Sequence, residues 1–193
     1  MNNNGSYSTA VGHKALCSNT TGTNNTALGD STLYLNTTGG QNTAVGYGAL
    51  LCNTSGSNNV AVGTCAMWCN TSGVSNLAMG FCALFYNLTG NRNIAIGETA
   101  GRNITSGYDN TYVGFRGGLL TTTATDNTYI GSYSGYSTTT GSANTAVGKN
   151  ILYANTTGGC NTALGHSALF ANTTASDNTA TGYLALRYNT TGG

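Results

Sequence analysis

The side chains of this sequence that could do chemistry are few, and some of them recur at one fixed spacing. The chain contains five acidic residues, two histidines and six cysteines. A 17-residue interval separates Asp109 from Asp126, and the same interval separates Cys52 from Cys69. If the fold makes residues at this interval into neighbours, the first pair could begin a calcium site and the second could form a disulfide.

For both arrangements we favour a simpler interpretation. Calcium takes roughly six to eight oxygen ligands from a dedicated loop, so we expect Asp109 and Asp126 to be solvated turn residues. Cys65 and Cys82 share the 17-residue interval as well. Neighbours in register point the same way, so the sequence predicts free thiols in both cysteine pairs.

The remaining candidates for catalysis do not converge. His13 and His166 fall at equivalent positions but are separated by nine such intervals, so they cannot cooperate within one chain. No serine, histidine and aspartate recur together at the interval. The sequence predicts no catalytic residue, no metal site, no cofactor and no enzymatic activity.

The 17-residue interval belongs to a repeat that runs along the whole sequence. It is clearest at the glycine of the motif Asn-Thr-Ala-Val-Gly, which returns at this constant interval without insertion or deletion. This regularity makes residues 1–193 a single repeat domain. The eleven copies place the glycine at Gly12, Gly29, Gly46, Gly63, Gly80, Gly97, Gly114, Gly131, Gly148, Gly165 and Gly182.

The length and composition of one copy determine the fold class. Seventeen residues are too few for a two-helix repeat, and the recurring Asn, Thr and Gly oppose a helix. They suit one coil with two short strands, Asn-Thr-Ala-Val and a second beginning at Ala-Leu, joined by turns at the glycine and at Asn-Thr-Thr-Gly. The sequence therefore predicts an all-β fold, a parallel β-solenoid or β-roll of eleven 17-residue rungs.

Stacked rungs align equivalent residues into columns along the rod. Two asparagine columns, four residues before and seven residues after the glycine, predict ladders of hydrogen-bonded amides. In the middle copies Tyr112 and Tyr129 replace the strand alanine, while Gly101, Gly118 and Gly135 replace the leucine. This exchange conserves volume, so we expect the alanine and leucine columns to share one core.

The sequence predicts apolar side chains on both faces of the strand, and one narrow coil cannot bury both. The residue before the glycine is apolar in ten of eleven copies, with Thr181 the exception. A further column of large apolar residues follows five positions after the glycine. We expect self-association in a lateral homo-oligomer, for which a trimer is the favoured form. The candidate interface residues are Tyr34, Leu51, Trp68, Phe85, Leu119, Tyr136, Tyr153 and Phe170.

Both ends of the sequence fall inside the repeat pattern. Asn2 and Gly5 occupy the Asn and Gly of the Asn-Thr-Thr-Gly turn, and Asn189 and Gly192 occupy the same places in the last copy. Solenoids usually carry polar caps against end-to-end association, and no cap is visible here. The sequence therefore predicts either a piece of a longer fibre or head-to-tail stacking into a filament.

The composition excludes several classes of partner. Only 6% of the residues are charged and the net charge is +1, so we expect no nucleic-acid partner. The sequence contains no stretch of about 18 apolar residues, so we expect no membrane span. The first residues lack a basic segment followed by an apolar one, and so show no secretory signal.

The column seven residues after the glycine also matches the acceptor sequence for N-glycosylation, N-x-[ST]. In a eukaryotic secretory setting it would be a regular row of glycan sites. The alternative is that Asn-Thr-Thr-Gly is favourable turn chemistry. The candidate acceptors are Asn19, Asn36, Asn53, Asn70, Asn87, Asn155, Asn172 and Asn189.

The motif Asn-Thr-Ala-Val-Gly-Tyr-Gly-Ala-Leu-Leu-Cys-Asn-Thr-Ser-Gly at 42–56 resembles the head repeats of trimeric autotransporter adhesins. It also resembles repeat regions of phage and giant-virus tail-fibre proteins. The resemblance covers residues 8–193 and implies a left-handed parallel β-roll, three chains in each fibre and attachment to a surface. It implies an extracellular location, at the surface of a cell or a virion.

Two functions follow as expectations. The first is a structural fibre or filament subunit, or an adhesive fibre segment, with a surface receptor or glycan as its partner. The second is a Thr-rich binding module for ice or a glycan, built on the stacked threonines Thr20, Thr37, Thr54 and Thr71 and the column beside them. Adjacent residues point to opposite sides of an extended segment, which weakens the second expectation.

Overall fold

The computed structural model describes residues 7–191, and within this range the chain forms eleven short parallel strands in one sheet. The strands follow one another in sequence order, one in each 17-residue copy. The predicted all-β parallel solenoid is confirmed. The strands are β1 (Thr9–Val11), β2 (Thr26–Leu28), β3 (Thr43–Val45), β4 (Val60–Val62), β5 (Leu77–Met79), β6 (Ile94–Ile96), β7 (Thr111–Val113), β8 (Thr128–Ile130), β9 (Thr145–Val147), β10 (Thr162–Leu164) and β11 (Thr179–Thr181).

Neighbouring strands pair in strict register, so that Ala27 lies opposite Ala44 in the adjacent strand. We number the rungs by their glycines, from rung 1 with Gly12 to rung 11 with Gly182. Strands in a sheet are about 4.8 Å apart, so eleven rungs make a rod of roughly 50 Å. The turn residues predicted at Asn2, Gly5 and Gly192 lie outside the described residues.

The second strand predicted in each rung is not present in residues 7–191, and that part of the prediction was wrong. Overlapping turns take its place. In rung 3 the amide of Ala49 donates to Gly46 O at 3.4 Å, and the amide of Leu51 donates to Gly48 O at 3.2 Å. Between them, the amide of Leu50 donates to the next rung at 3.0 Å. Every second amide therefore closes a turn within its own rung, which prevents a regular second ladder.

These turns hold two residues of each rung in the left-handed backbone region. In rung 2 they are Ser31, with φ of 58°, and Leu33, with φ of 49°. A side chain held there costs roughly 1–3 kcal/mol, which the surrounding structure must offset. Leu33 is fully buried in the core, and this burial contributes to the offset. Glycine at the leucine position in rungs 6–8 avoids the strain.

The alanine and leucine columns share one core, as predicted. The rings of Tyr112 and Tyr129 are fully buried and stacked, with centroids 5.3 Å apart. A Cβ atom added to Gly118 would lie 2.8 Å from the Tyr112 ring, and one on Gly135 would lie closer still to Tyr129. The tyrosine rings therefore fill the space that leucine side chains fill in other rungs.

The tyrosines also depend on a second change, which was not predicted from the sequence. In rungs 6–8 the asparagine seven residues after the glycine becomes Ile104, Thr121 and Thr138. Tyr129 Oη lies 3.2 Å from Thr138 Oγ1 and donates to Asn127 Oδ1 at 3.2 Å. The threonine side chain is one atom shorter than asparagine, so Thr138 leaves room for the phenol and gives it a hydrogen-bond partner. The signal was present in the sequence as three interruptions of one asparagine column.

The glycine on which the repeat is aligned is required by both conformation and space. Gly97 has φ of 133°, and a Cβ atom there would lie 2.6 Å from Gly114 O in the next rung. Gly182 has a similar φ of 127°, but the nearest atom to its added Cβ is 4.0 Å away, because no further rung covers it within the described residues. A substitution at Gly97 therefore causes both backbone strain and a clash with the next rung, whereas one at Gly182 causes backbone strain alone.

We expect stability to fall at alkaline pH because of the two core tyrosines. Burial raises the pKa of Tyr112 and Tyr129 well above the ordinary value of 10.0. In the unfolded chain they ionise near that value, so their stabilisation is present below about pH 10 and is lost as the pH rises above it. Urea unfolding between about pH 8 and pH 11 measures the loss. The double variant Tyr112→Phe/Tyr129→Phe should show a smaller fall, and an unchanged fall would contradict this assignment.

We expect Gly97→Ala to destabilise the rod far more than Gly182→Ala. Both changes strain the backbone by about 1 kcal/mol or more, but only the first forces a side chain against the neighbouring rung, for a total of about 3 kcal/mol or more. Urea unfolding followed by circular dichroism gives both free energies. Equal losses would show that stacking does not set the requirement for glycine.

Candidate functional site

One side of the rod exposes the outward residues of all the strands, and we call it the outer strand face. It consists of the residue before each glycine and the residue two positions earlier. The side chains of Leu28 and Leu164 are each 47% exposed and that of Met79 is 42% exposed. Within the described residues no strand contains a charged side chain. The face is most apolar in β4–β6, which contribute Val60, Val62, Leu77, Met79, Ile94 and Ile96.

The column predicted as an oligomer interface, from Tyr34 to Phe170, is half-buried and stacks on itself. We call it the aromatic ladder. The rings of Trp68 and Phe85 have centroids 6.2 Å apart and planes 11° apart. Tyr153 stacks on both of its neighbours, at 5.0 Å from Tyr136 and 5.1 Å from Phe170. Much of its apolar surface is therefore covered within the chain, and the interface assignment stays a prediction.

Arg187 occupies the ladder position of rung 11 and lies 5.4 Å from the centroid of Phe170, a ladder ring. Two further arginines lie over rings nearer the middle of the rod. Arg102 occupies the ladder position of rung 6, with its guanidinium 5.2 Å from the Phe85 centroid. Arg116 lies 4.9 Å from the Phe115 centroid and 5.9 Å from that of Tyr133. Among residues 7–191 no carboxylate lies within ion-pair distance of either arginine. Both charges are thus held by aromatic faces and not by acids.

The ladder borders a groove in rungs 6–10. One hollow of about 390 Å³ is lined by aromatic rings, an amide and a guanidinium. A second hollow of about 340 Å³ shares Arg116 and Tyr136 with it and extends toward Arg102 and Leu119. The ladder residue changes along the groove, from an arginine in rung 6 to a leucine in rung 7 and a tyrosine in rung 8. The first hollow is lined by Arg116, Tyr133, Tyr136, Asn150, Tyr153 and Phe170.

The two asparagine columns form buried ladders. In the column four residues before the glycine, Asn59 donates from its backbone N and from Nδ2 to Asn42 Oδ1, at 3.0 and 3.2 Å. Its Nδ2 also donates to Gly73 O at 2.8 Å. In the column seven residues after the glycine, Asn53 Nδ2 donates to Asn36 Oδ1 at 2.7 Å. Each amide thus joins its own rung to the one before it.

This burial opposes glycosylation of the second column. A glycan is attached through Nδ2, and seven of the eight candidate nitrogens belong to fully buried side chains whose amides form the ladder. Asn189 is partly buried and donates to Asn172 Oδ1 at 3.3 Å. The geometry therefore favours the structural interpretation of the column. The fully buried candidates are Asn19, Asn36, Asn53, Asn70, Asn87, Asn155 and Asn172.

The paired aspartates have separate partners. Asp109 accepts two hydrogen bonds from Arg92, from Nε at 2.6 Å and from Nη2 at 2.7 Å. These bonds lower the pKa of the Asp109 carboxyl. Asp126 accepts from Thr125 Oγ1 at 2.8 Å. Over residues 7–191 no group of three acidic, histidine or cysteine side chains is placed to hold a metal ion.

The two histidines are also far apart, and their side chains contact different partners. His13 Nδ1 lies 3.6 Å from Asp30 Oδ1, and both side chains are exposed. His166 packs on Tyr183 with ring centroids 5.6 Å apart. The structure does not bring the two histidines together.

The paired cysteines are free thiols, as expected. Cys52, Cys65 and Cys69 are partly buried and Cys82 is buried. Burial raises the pKa of all four thiols above their ordinary value. A raised pKa lowers the thiolate fraction near neutral pH, so these cysteines are poor nucleophiles.

The threonine columns differ in what their hydroxyls contact. Thr37 Oγ1 donates to Thr54 O at 2.9 Å, and Thr54 Oγ1 donates to Thr71 O at 3.0 Å. The next residue in each rung, such as Thr38, is exposed. The first column is therefore committed to rung stacking, and only the second presents its hydroxyls outward.

Comparisons with protein-family models, with curated proteins and with solved structures find no match to this chain. The resemblance to adhesin heads and tail fibres therefore stays a prediction. The part of the chain that the structure describes has no helix with the length and hydropathy of a membrane span.

We expect Asn70→Ala to destabilise the rod by about 3 kcal/mol, because it leaves buried partners without their hydrogen bonds. Asn70 Nδ2 donates to Asn53 Oδ1 at 2.6 Å and to Gly73 O at 3.2 Å, and Asn70 Oδ1 accepts from Asn87 at 2.9 Å. Urea unfolding measures the change. Ser72→Ala, at an exposed position of the same turn, is the control and should change the free energy by less than about 0.5 kcal/mol. Similar values for the two variants would show that the ladder contributes nothing specific.

Proposed function

We propose that this chain is a rigid segment of a structural fibre or filament at the surface of a cell or virion, with an adhesive role. The observation that carries the proposal is the outer strand face, which no other element covers within residues 7–191. The regular rungs support the rod itself, and the uncovered face supports association with further copies.

The architecture suits a mechanical part. Each rung is joined to the next by strand pairing, by turn amides and by two asparagine ladders, so the same contacts recur along the described rod. Stability in such a solenoid is approximately a sum over rungs and the contacts between them. Further rungs can therefore be added with the same contacts, and a fibre requires a structure that can be lengthened in this way.

The outer strand face supports lateral self-association. Monomeric proteins rarely expose large continuous apolar patches. Here the apolar column before the glycine continues through ten rungs, over about 43 Å, and widens to both outward positions in β4–β6. Its middle strands carry aliphatic side chains on both outward positions, with no charge to oppose contact. A closed trimer would cover the face with two further copies. Head-to-tail stacking of rods would extend the same assembly along its axis.

The adhesive role and the extracellular location are supported by the resemblance to adhesin and tail-fibre repeats. The Thr-rich binding module is the weaker proposal, because one of its two columns directs its hydroxyls into the backbone of the next rung. We propose no enzymatic role for the chain.

We expect the purified chain to sediment as a trimer, and Met79→Asp to convert it into a monomer of 19.6 kDa. Met79 lies at the centre of the outer strand face with 42% of its side chain exposed, so the charge is solvated in the monomer and buried in the assembly. Sedimentation velocity at micromolar concentration measures the mass.

Thr89→Asp is the matched control, because it places the same charge on an exposed turn of the same rung. It should leave the assembly intact. A wild-type chain that stays monomeric at micromolar concentration would refute the lateral association, and a trimer insensitive to Met79→Asp would place its interface elsewhere.

A further inference from the structure

The groove beside the aromatic ladder is confined to a few rungs of the rod. Tyr133 is the one aromatic side chain in a column that elsewhere carries residues such as Ser31, Cys65 and Thr99. The same rungs carry the tyrosine exchange in the core. The repeat is therefore altered inside and outside at the same place. All the rungs contribute to the stacking of the rod. Stacking therefore does not explain a surface that is found in only a few of them.

The size of the groove suits a small ligand or one segment of a polymer. Its two hollows measure about 390 and 340 Å³ and share Arg116 and Tyr136. Ligand sites in proteins commonly have volumes of about 300–1,000 Å³. Both hollows are open, and the groove follows successive rungs along the rod axis. An extended molecule that lies along the axis fits this shape better than a compact one.

The charge of the groove selects an anion. Arg102 and Arg116 come from adjacent rungs, and among residues 7–191 neither has a carboxylate partner. Glu98 precedes Arg102 by four residues, and its backbone O accepts from the amide of Arg116 at 3.1 Å. Within the described residues its carboxylate nevertheless makes no ion pair with either arginine. By contrast, Arg92 is fully engaged with Asp109 through two hydrogen bonds. Stacking on aromatic faces orients a guanidinium and leaves its N–H groups available to a carboxylate, which it can bind in bidentate fashion.

The other lining groups select the kind of anion. Tyrosine rings and Phe170 offer apolar surface, while the amides of Asn150 and Asn103 and the tyrosine hydroxyls offer hydrogen bonds. A pyranose ring presents C–H groups on its faces and hydroxyls around its rim, which matches this mixture. A nucleic acid fits less well, because two arginines and a net charge of +1 supply little of the phosphate neutralisation that it needs.

We propose that this groove binds an acidic oligosaccharide, with Arg102 and Arg116 holding carboxylates of successive or alternate sugar units. The proposal rests on the adhesive part of the proposed function and names its ligand class. It does not depend on lateral association, because the groove and the outer strand face use different columns of the rung.

The test is isothermal titration calorimetry of the full chain with an oligogalacturonate hexamer, against an uncharged hexose oligomer of the same length. We expect binding of the acidic oligomer and at least about tenfold weaker binding of the neutral one, since a charged hydrogen-bonded pair contributes that much. Arg116→Gln should weaken binding about tenfold. Lys14→Gln removes the same charge six rungs away and should leave the affinity unchanged.

Several outcomes would overturn the proposal. They are no heat of binding at millimolar oligogalacturonate, equal affinity for the neutral oligomer, or equal loss in Arg116→Gln and Lys14→Gln. A single-stranded oligonucleotide that binds more tightly than the oligosaccharide would assign the groove to nucleic acid. Circular dichroism of Arg116→Gln confirms that the variant is folded, and Arg102→Gln gives a second, independent measure. The Met79→Asp variant should bind as well as the wild type, so that failure of the lateral assembly and failure of the groove are distinguished.

Discussion

The rest of this structure depends on how closely each rung approaches the next at the glycine on which the repeat is aligned. A Cβ atom on Gly63 would lie 2.6 Å from Gly80 O, and the same obstruction recurs at equivalent glycines along the rod. Such an approach is possible only if every rung has the same length and the same path. A single inserted residue would displace the glycine and separate the two backbones. The uninterrupted 17-residue period is therefore a packing requirement, and it explains why sequence changes are confined to substitutions.

The buried asparagine amides also require every rung to have the same length and register, because of their hydrogen bonds. Asn42 and Asn59 are fully buried polar side chains, and such groups cost free energy unless they are hydrogen-bonded. Their partners lie in the neighbouring rung, so each asparagine is satisfied only when the register is correct. Columns that point outward carry no such demand. Side chains can therefore vary there from rung to rung, with charged and aromatic residues beside the groove and threonine or aliphatic residues on the outer strand face.

Much of the fold could be predicted from the sequence, because the repeat allows equivalent positions to be compared across eleven copies. The period indicated the solenoid. The shared core was indicated because Tyr112 and Tyr129 replace alanines in the same rungs in which glycines replace leucines. The missing second strand could not be predicted, because Leu33 at a φ of 49° contradicts the ordinary preference of leucine and is held there by tertiary burial. The groove was missed for a related reason. Arg116 and Tyr133 stand in one column and Tyr136 in another, and only the turn geometry of the rung brings the two columns together.

The most direct measurement of this arrangement is the distance between equivalent residues of different rungs. Spin labels attached independently of the cysteines at Thr38 and at Thr123, Thr157 or Thr174 lie in one exposed column, five, seven or eight rungs apart. Double electron–electron resonance should give separations of about 24, 34 and 38 Å, an increase of about 4.8 Å for every rung. Separations that do not grow linearly with rung number, or that grow with a different slope, would contradict the stacked 17-residue rungs.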